Sequence, residues 1–151
     1  MFDIKPITSP KKYDCGATCL KMLLAYYDVD VDLETLIKDC NTTYRGCKAT
    51  DILAAGRKHG LDMKPWGEKD PDSDDPEDRI VIDAPILSED RPSIVWWMYG
   101  HWVVLCGKDD NGKVVICDPD RGRYRMSEGF FMQCYAGVSI TNGVPEEVDP
   151  E

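Results

Sequence analysis

The chain has 151 residues, 42% of them hydrophobic and 30% charged, with 28 acidic against 18 basic side chains and a formal net charge of −10. That length fits one domain, with a core large enough to need no disulfide staples. The charge excludes a phosphate-reading surface and disfavours an anionic membrane face, while a basic peptide partner stays compatible with it.

The opening stretch, residues 1–13, is aperiodic and reads as an extended lead-in; it has no apolar h-region, so no secretory signal is expected. From Cys15 the pattern turns helical, with Leu20, Leu23, Leu24 and Tyr27 at i, i+3, i+4 and i+7 and Asp14 in the N-cap position. A second helix is predicted from Asp32, with Leu33, Leu36, Ile37 and Cys40 inward. A third starts near Thr50, carries Ile52, Leu53 and Ala55, and stops at His59-Gly60. Residues 67–79 hold seven acidic side chains and two prolines, and are expected to form a solvated loop insert.

Beyond the insert the runs become short and β-branched or aromatic. Strands are predicted at 80–83, 92–97, 101–107, 113–118 and 135–140, and residues 144–151 form an acidic, frayed tail. Helices first and strands second make an α+β class, read as a single domain over 1–143. No apolar run reaches the roughly 20 residues of a membrane span. Seven cysteines, an odd number without a tight repeat, are expected as mostly free thiols in a reducing, cytoplasmic setting.

His101, Val103 and Leu105 share one strand face, and Val114, Ile116 and Asp118 share another. A turn of two, four or six residues between these strands pairs odd-numbered with even-numbered residues, which puts His101 on the face of Asp118. A turn at Asn111-Gly112 sets Cys106 opposite Cys117 and leaves His101 about four residues out of step. A turn centred on Asp109-Asp110 sets His101 beside Asp118.

Cys15 begins a helix, where unpaired N–H groups and the positive end of the dipole favour a thiolate, and Gly16 is expected to leave room for a substrate backbone. A small buried residue would also fit that position. His101 opens an apolar strand beside Gly100, where solvent and a thiol can both reach it. Asp118 precedes Pro119 and could equally be a turn residue. Cys19, Cys40, Cys47, Cys106, Cys117 and Cys134 are expected in the core, without metal-ligand spacing. His59, at a helix end, is assigned a capping role only.

Four segments together carry a resemblance: YDCGATCLKMLLAYY (13–27), YRGCKATDILAAGRKHGL (44–61), WMYGHWVVLCG (97–107) and ICDPDRG (116–122). The combination resembles the double-glycine leader peptidases, papain-like cysteine peptidases that trim bacteriocin precursors and often belong to peptide-exporting transporters. The resemblance implies a papain-like fold, with an N-terminal helical half packed on a C-terminal antiparallel β-sheet. It makes Cys15 the nucleophile, His101 its base and Asp118 the residue that orients the histidine, with cleavage after a Gly-Gly-type pair and no cofactor or metal. Peptide substrates or leader peptides, and a peptide-exporting transporter, are the implied partners. Where the family has an oxyanion-hole glutamine this chain has Ser9, a departure that implies slower cleavage. The alternatives are a degenerate module that binds a leader without cutting it, or a papain-fold acyltransferase.

Overall fold

The computed structural model describes residues 1–65, 91–98 and 100–143. The acidic insert, the strand expected at 80–83 and the tail at 144–151 lie outside the described residues. A 3-10 turn at Lys12–Asp14 leads into α1 (Cys15–Tyr26), followed by α2 (Leu33–Asp39) and α3 (Ala49–Lys58). Then come β1 (Met63–Pro65), β2 (Ser93–Trp97), β3 (His101–Lys108), β4 (Val114–Asp118), β5 (Gly122–Met126), α4 (Glu128–Cys134) and β6 (Tyr135–Asn142). The strands form one antiparallel sheet in the order β1-β6-β2-β3-β4-β5.

Side-chain alternation divides the sheet between two cores. Ile94, Val104, Val115 and Ile140 meet Leu20, Leu23, Leu24 and Ile52 of the helices, all within 5% exposure. Val95, Val103, Leu105, Val114 and Ile116 face the other way and pack on Phe131 and Cys134 of α4. Each fully buried aliphatic side chain contributes about 1.5–3 kcal/mol, so every residue of these strands is committed to one face or the other. The helical half therefore packs on the sheet as the α+β reading requires.

Three elements escape the sequence patterns. β1 has only three residues, and β5 reads Gly-Arg-Tyr-Arg-Met with no apolar run. α4 is a seven-residue helix whose cap, Ser127, accepts a bond from the Phe130 N–H at 3.2 Å. At the start of α1, Asp14 stands in the cap position but its carboxylate caps nothing. Asp14 is buried, and its carbonyl accepts from the Thr18 hydroxyl at 2.9 Å.

The β3–β4 register follows neither predicted turn. Asp109 holds a three-residue loop: its carboxylate accepts from the N–H groups of Asn111 and Lys113, and its own N–H donates to the Lys113 carbonyl at 2.9 Å. Gly112 takes the left-handed conformation there, at φ 77°. Next to this loop even pairs with even, Lys108 with Val114, which carried along the strands would put His101 and Asp118 on opposite faces. A bulge intervenes. Cys106 and Gly107 together oppose one residue of β4, and beyond them Leu105 pairs with Ile116 and Val104 with Cys117. Odd meets even again, and His101 and Asp118 share a face. Gly107 sits in the bulge at φ 94°, and the Cys106 carbonyl accepts from the Phe2 N–H at 2.7 Å.

Gly107→Val forces a β-branched residue into that conformation and is expected to cost at least about 1–2 kcal/mol in a denaturant titration. Gly112→Val, in the exposed loop, should cost a similar amount, yet only Gly107→Val should also disturb the His101 ring resonances. Equal disturbance by both variants would mean that the bulge does not hold the site.

Candidate active site

Asp118 ends β4 as a carboxylate 4% exposed, and three groups supply its hydrogen bonds. His101 Nε2 lies 2.7 Å from Oδ1, the Asp120 N–H donates to Oδ1 at 2.8 Å, and the Tyr124 hydroxyl donates to Oδ2 at 3.1 Å. Burial pushes the Asp118 carboxyl up, but the His101 bond, the Asp120 N–H and the Tyr124 hydroxyl outweigh it and hold the carboxyl below its ordinary range. Tyr124 sits on β5, and its pairing partner Ile116 is two residues from Asp118, which aims the phenol along the same face.

His101 is the first residue of β3, paired with Trp97, at the end of the sheet where the first turn of α1 also arrives. Burial disfavours the imidazolium. Hydrogen bonds to Asp118 and Cys15, together with the charges of both, more than offset that and raise the imidazole to about 10. Cys15 is therefore close enough to act on the proton affinity of the ring. Cys15 is 4% exposed and lines a cleft of about 320 Å3. Lys12, Arg45, Gly46, Cys47, Trp96 and Trp102 share that cleft, and the two indoles lie 4.7 Å apart, centroid to centroid.

The structure thus joins His101 to Asp118 by a hydrogen bond, with Cys15 close enough to influence the ring. Ser9 does not line the cleft: its hydroxyl donates to the Lys11 carbonyl at 2.6 Å, and its N–H donates to the carbonyl of Pro119, next to Asp118, at 2.8 Å. His59 lies outside the cleft, joining α3 to α2 through Asp39 at 2.7 Å, beside a Lys58–Asp39 ion pair at 2.9 Å. The histidine and lysine bonds hold the Asp39 carboxyl below its ordinary range. Among the described residues one group, His101, Asp118 and Asp120, has ligand atoms converging within 4.8 Å. The His101–Asp118 bond and a 3.8 Å approach of Asp120 account for that convergence without an ion.

Two expectations need correction. Gly16 makes room for the protein itself and not for a substrate backbone, because a Cβ there would lie 2.3 Å from Cys47 Sγ and 3.1 Å from the Trp102 ring. Cys47 packs against the core but is only half-buried, because it also lines the cleft wall. Cys19, Cys40, Cys106, Cys117 and Cys134 are buried as expected, and all seven thiols are free. The residues that sequence patterns missed are Tyr124, hidden in an unpatterned strand, and the walls Arg45, Trp96 and Trp102. The aromatic run Trp96-Trp97 reads as strand core, and nothing in it marks one indole as a cleft wall.

The profile of the Peptidase C39 family matches residues 3–144, and the chain belongs to that family. It is 26% identical over 136 residues to the lactococcin-G-processing and transport ATP-binding protein LagD of Lactococcus lactis, covering 90% of this chain and 18% of that protein. A shorter stretch of 42 residues is 48% identical to cysteine protease effector 1 of Escherichia coli, 27% of this chain and 9% of that one. The chain therefore spans less than a fifth of the length of these relatives. Among solved structures, a double glycine motif protease from an AMS/PCAT transporter, in complex with its leader peptide, superposes with a TM-score of 0.76. It is 27% identical, over 93% of this chain and 91% of that one. Among the described residues no helix is long and apolar enough to cross a membrane.

The raised imidazole stabilises the folded chain fully below its ordinary value of 6.5, and that contribution is lost as pH rises through about 10. The depressed Asp118 carboxyl acts above its ordinary value of 3.8 and is lost as pH falls through its lowered one. Ring-proton NMR of the two histidines should show one titrating near 10, and Asp118→Asn should bring that ring down toward 6.5. A His101 that titrates near 6.5 in the unaltered chain contradicts the assigned contacts.

Proposed function

We propose that this chain is a cysteine peptidase that cleaves peptides after a Gly-Gly-type pair of small residues, with Cys15 as nucleophile. The observation that carries the reading is the 2.7 Å bond between His101 and Asp118, with Cys15 close enough to act on the imidazole and lining a cleft. Membership of a peptidase family and the likeness to a double glycine motif protease with its leader bound support the same chemistry.

Asp118 holds Nε2 of the imidazole, which leaves Nδ1 for the sulfur. The reacting form in this reading is the ion pair of a Cys15 thiolate and the His101 imidazolium, which attract each other. The thiolate attacks the carbonyl carbon of the scissile bond. The imidazolium then gives its proton to the leaving amine, and the peptide's N-terminal part stays on sulfur as a thioester. His101, now neutral, takes a proton from water, whose attack releases the acid and restores the thiolate. The alkaline limb of kcat/KM should therefore follow loss of the imidazolium proton at about 10.

Trp96 and Trp102 pack on each other as an apolar part of the cleft that Cys15 lines, and the preference for small residues at the cut is supported by the likeness to a double glycine motif protease. In sequence Ser9 stands six residues before Cys15, where we read the family's oxyanion glutamine, and its hydroxyl proton is engaged by the Lys11 carbonyl. One transition-state donor is therefore weakened. The relatives that process and transport peptides support a leader peptide as substrate and a peptide exporter as partner. Seven free thiols support action in a reducing compartment, the cytoplasm.

Cys15→Ala should abolish cleavage of a Gly-Gly leader peptide, measured by mass spectrometry, with peptide binding retained. Ser9→Gln should raise kcat by roughly tenfold or more by returning an amide donor to the developing oxyanion. Binding without cleavage by both the unaltered chain and Ser9→Gln would replace the peptidase with a leader-binding module.

A further inference from the structure

Apart from the cleft, the structure holds a second sulfur pair that the peptidase chemistry does not use. Cys106 stands in the β3 bulge and Cys117 on β4, with their sulfurs 3.3 Å apart and both residues wholly buried. Cys106 Sγ has two acceptors in reach, Cys117 Sγ and, at 3.7 Å, the Val104 carbonyl, and Ile4 of the N-terminal segment contacts Cys117. The Ile4 carbonyl accepts from both Cys117, at 3.6 Å, and the Arg123 guanidinium, and Arg123 approaches the Asp3 carboxylate at 3.7 Å. We propose that Cys106 and Cys117 are an oxidant-responsive dithiol, closed to a disulfide by hydroperoxides and reopened by thiols.

Three features favour this over inert core packing. A disulfide needs sulfurs at about 2.05 Å, so the pair has little over an ångström to close, and each strand is already fixed by its neighbours. The guanidinium is a cation beside one of the two sulfurs, the setting that makes a thiolate. Consistent with that, the Cys106 hydrogen bond and the Arg123 bond and charge outweigh burial and the Asp3 carboxylate, and lower the Cys117 thiol to about 7. Burial also selects the oxidant. A small neutral peroxide reaches sulfurs without exposed surface faster than a bulky disulfide does, while dithiothreitol and dimedone reach the pair in brief local openings.

The chemistry balances in two steps. The Cys117 thiolate attacks one peroxide oxygen, the O–O bond breaks, and sulfenic acid and hydroxide form. Cys106 sulfur then attacks Cys117 sulfur, its proton leaves with the sulfenic hydroxyl as water, and the S–S bond closes. One peroxide is reduced to two waters as two thiols are oxidised. The crosslink ties the bulge to the residue beside Asp118, so it braces the register on which the His101–Asp118 contact rests. It needs no chemistry at Cys15.

The test is peptide mapping of the full chain after brief hydrogen peroxide treatment, with Cys15→Ala run in parallel to remove the cleft thiol. Expected are a linked Cys106–Cys117 peptide pair lighter by two hydrogens, reversal by dithiothreitol, and a higher denaturation midpoint for the oxidised chain. Cys106→Ser should leave a dimedone-trappable sulfenic acid on Cys117. Arg123→Met should slow closure roughly threefold to tenfold as the thiolate fraction falls. Closure at Cys40–Cys47 ahead of this pair, a pair still reduced when Cys47 is fully oxidised, or an unchanged rate in Arg123→Met overturns the proposal.

Discussion

The one-residue bulge at Cys106-Gly107 is the constraint on which the His101–Asp118 contact depends. Strand side chains alternate, so a single unit of register decides whether two groups on neighbouring strands meet or face opposite ways. The Asp109 loop alone would set them on opposite faces. The bulge adds the missing residue, Gly107 permits the backbone conformation it needs, and the Phe2 N–H satisfies the carbonyl it frees. The N-terminal segment is therefore part of the site's support, although none of residues 1–9 lines the cleft.

With that register in place, the electrostatics of the site become mutually supporting. A buried carboxylate is costly unless its oxygens are satisfied. Asp118 has a ring nitrogen, a backbone N–H and a phenol on its two oxygens. Thus supported, it favours the imidazolium at His101. Tyr124 contributes by holding Asp118 and acts on the imidazole only through it.

Much of this was legible in the sequence because it rests on period and punctuation. Leu20, Leu23 and Leu24 mark α1, and β-branched runs mark β2, β3, β4 and β6. The order of Cys15, His101 and Asp118, each at an element boundary, carried the family resemblance. What stayed hidden lacks a local signature. β5 alternates Arg with Tyr and Met, and it is a strand because β4 presents a paired edge to it. The bulge depends on a three-residue turn chosen by the Asp109 carboxylate, where Asn111-Gly112 on its own suggests a two-residue one. Gly16 reads as an opening for substrate until Cys47, thirty-one positions away, is seen to fill the space.

The cleft holds two thiols, Cys15 and Cys47, and only one of them neighbours an imidazole. The account turns on that difference. The most direct measurement is alkylation of the full chain by a leader-derived peptide chloromethyl ketone ending in Gly-Gly, followed by mapping of the adduct and its rate. The account predicts a single adduct on Cys15, formed far more slowly in His101→Ala. An adduct on Cys47, or the same rate at Cys15 with and without the imidazole, would contradict it.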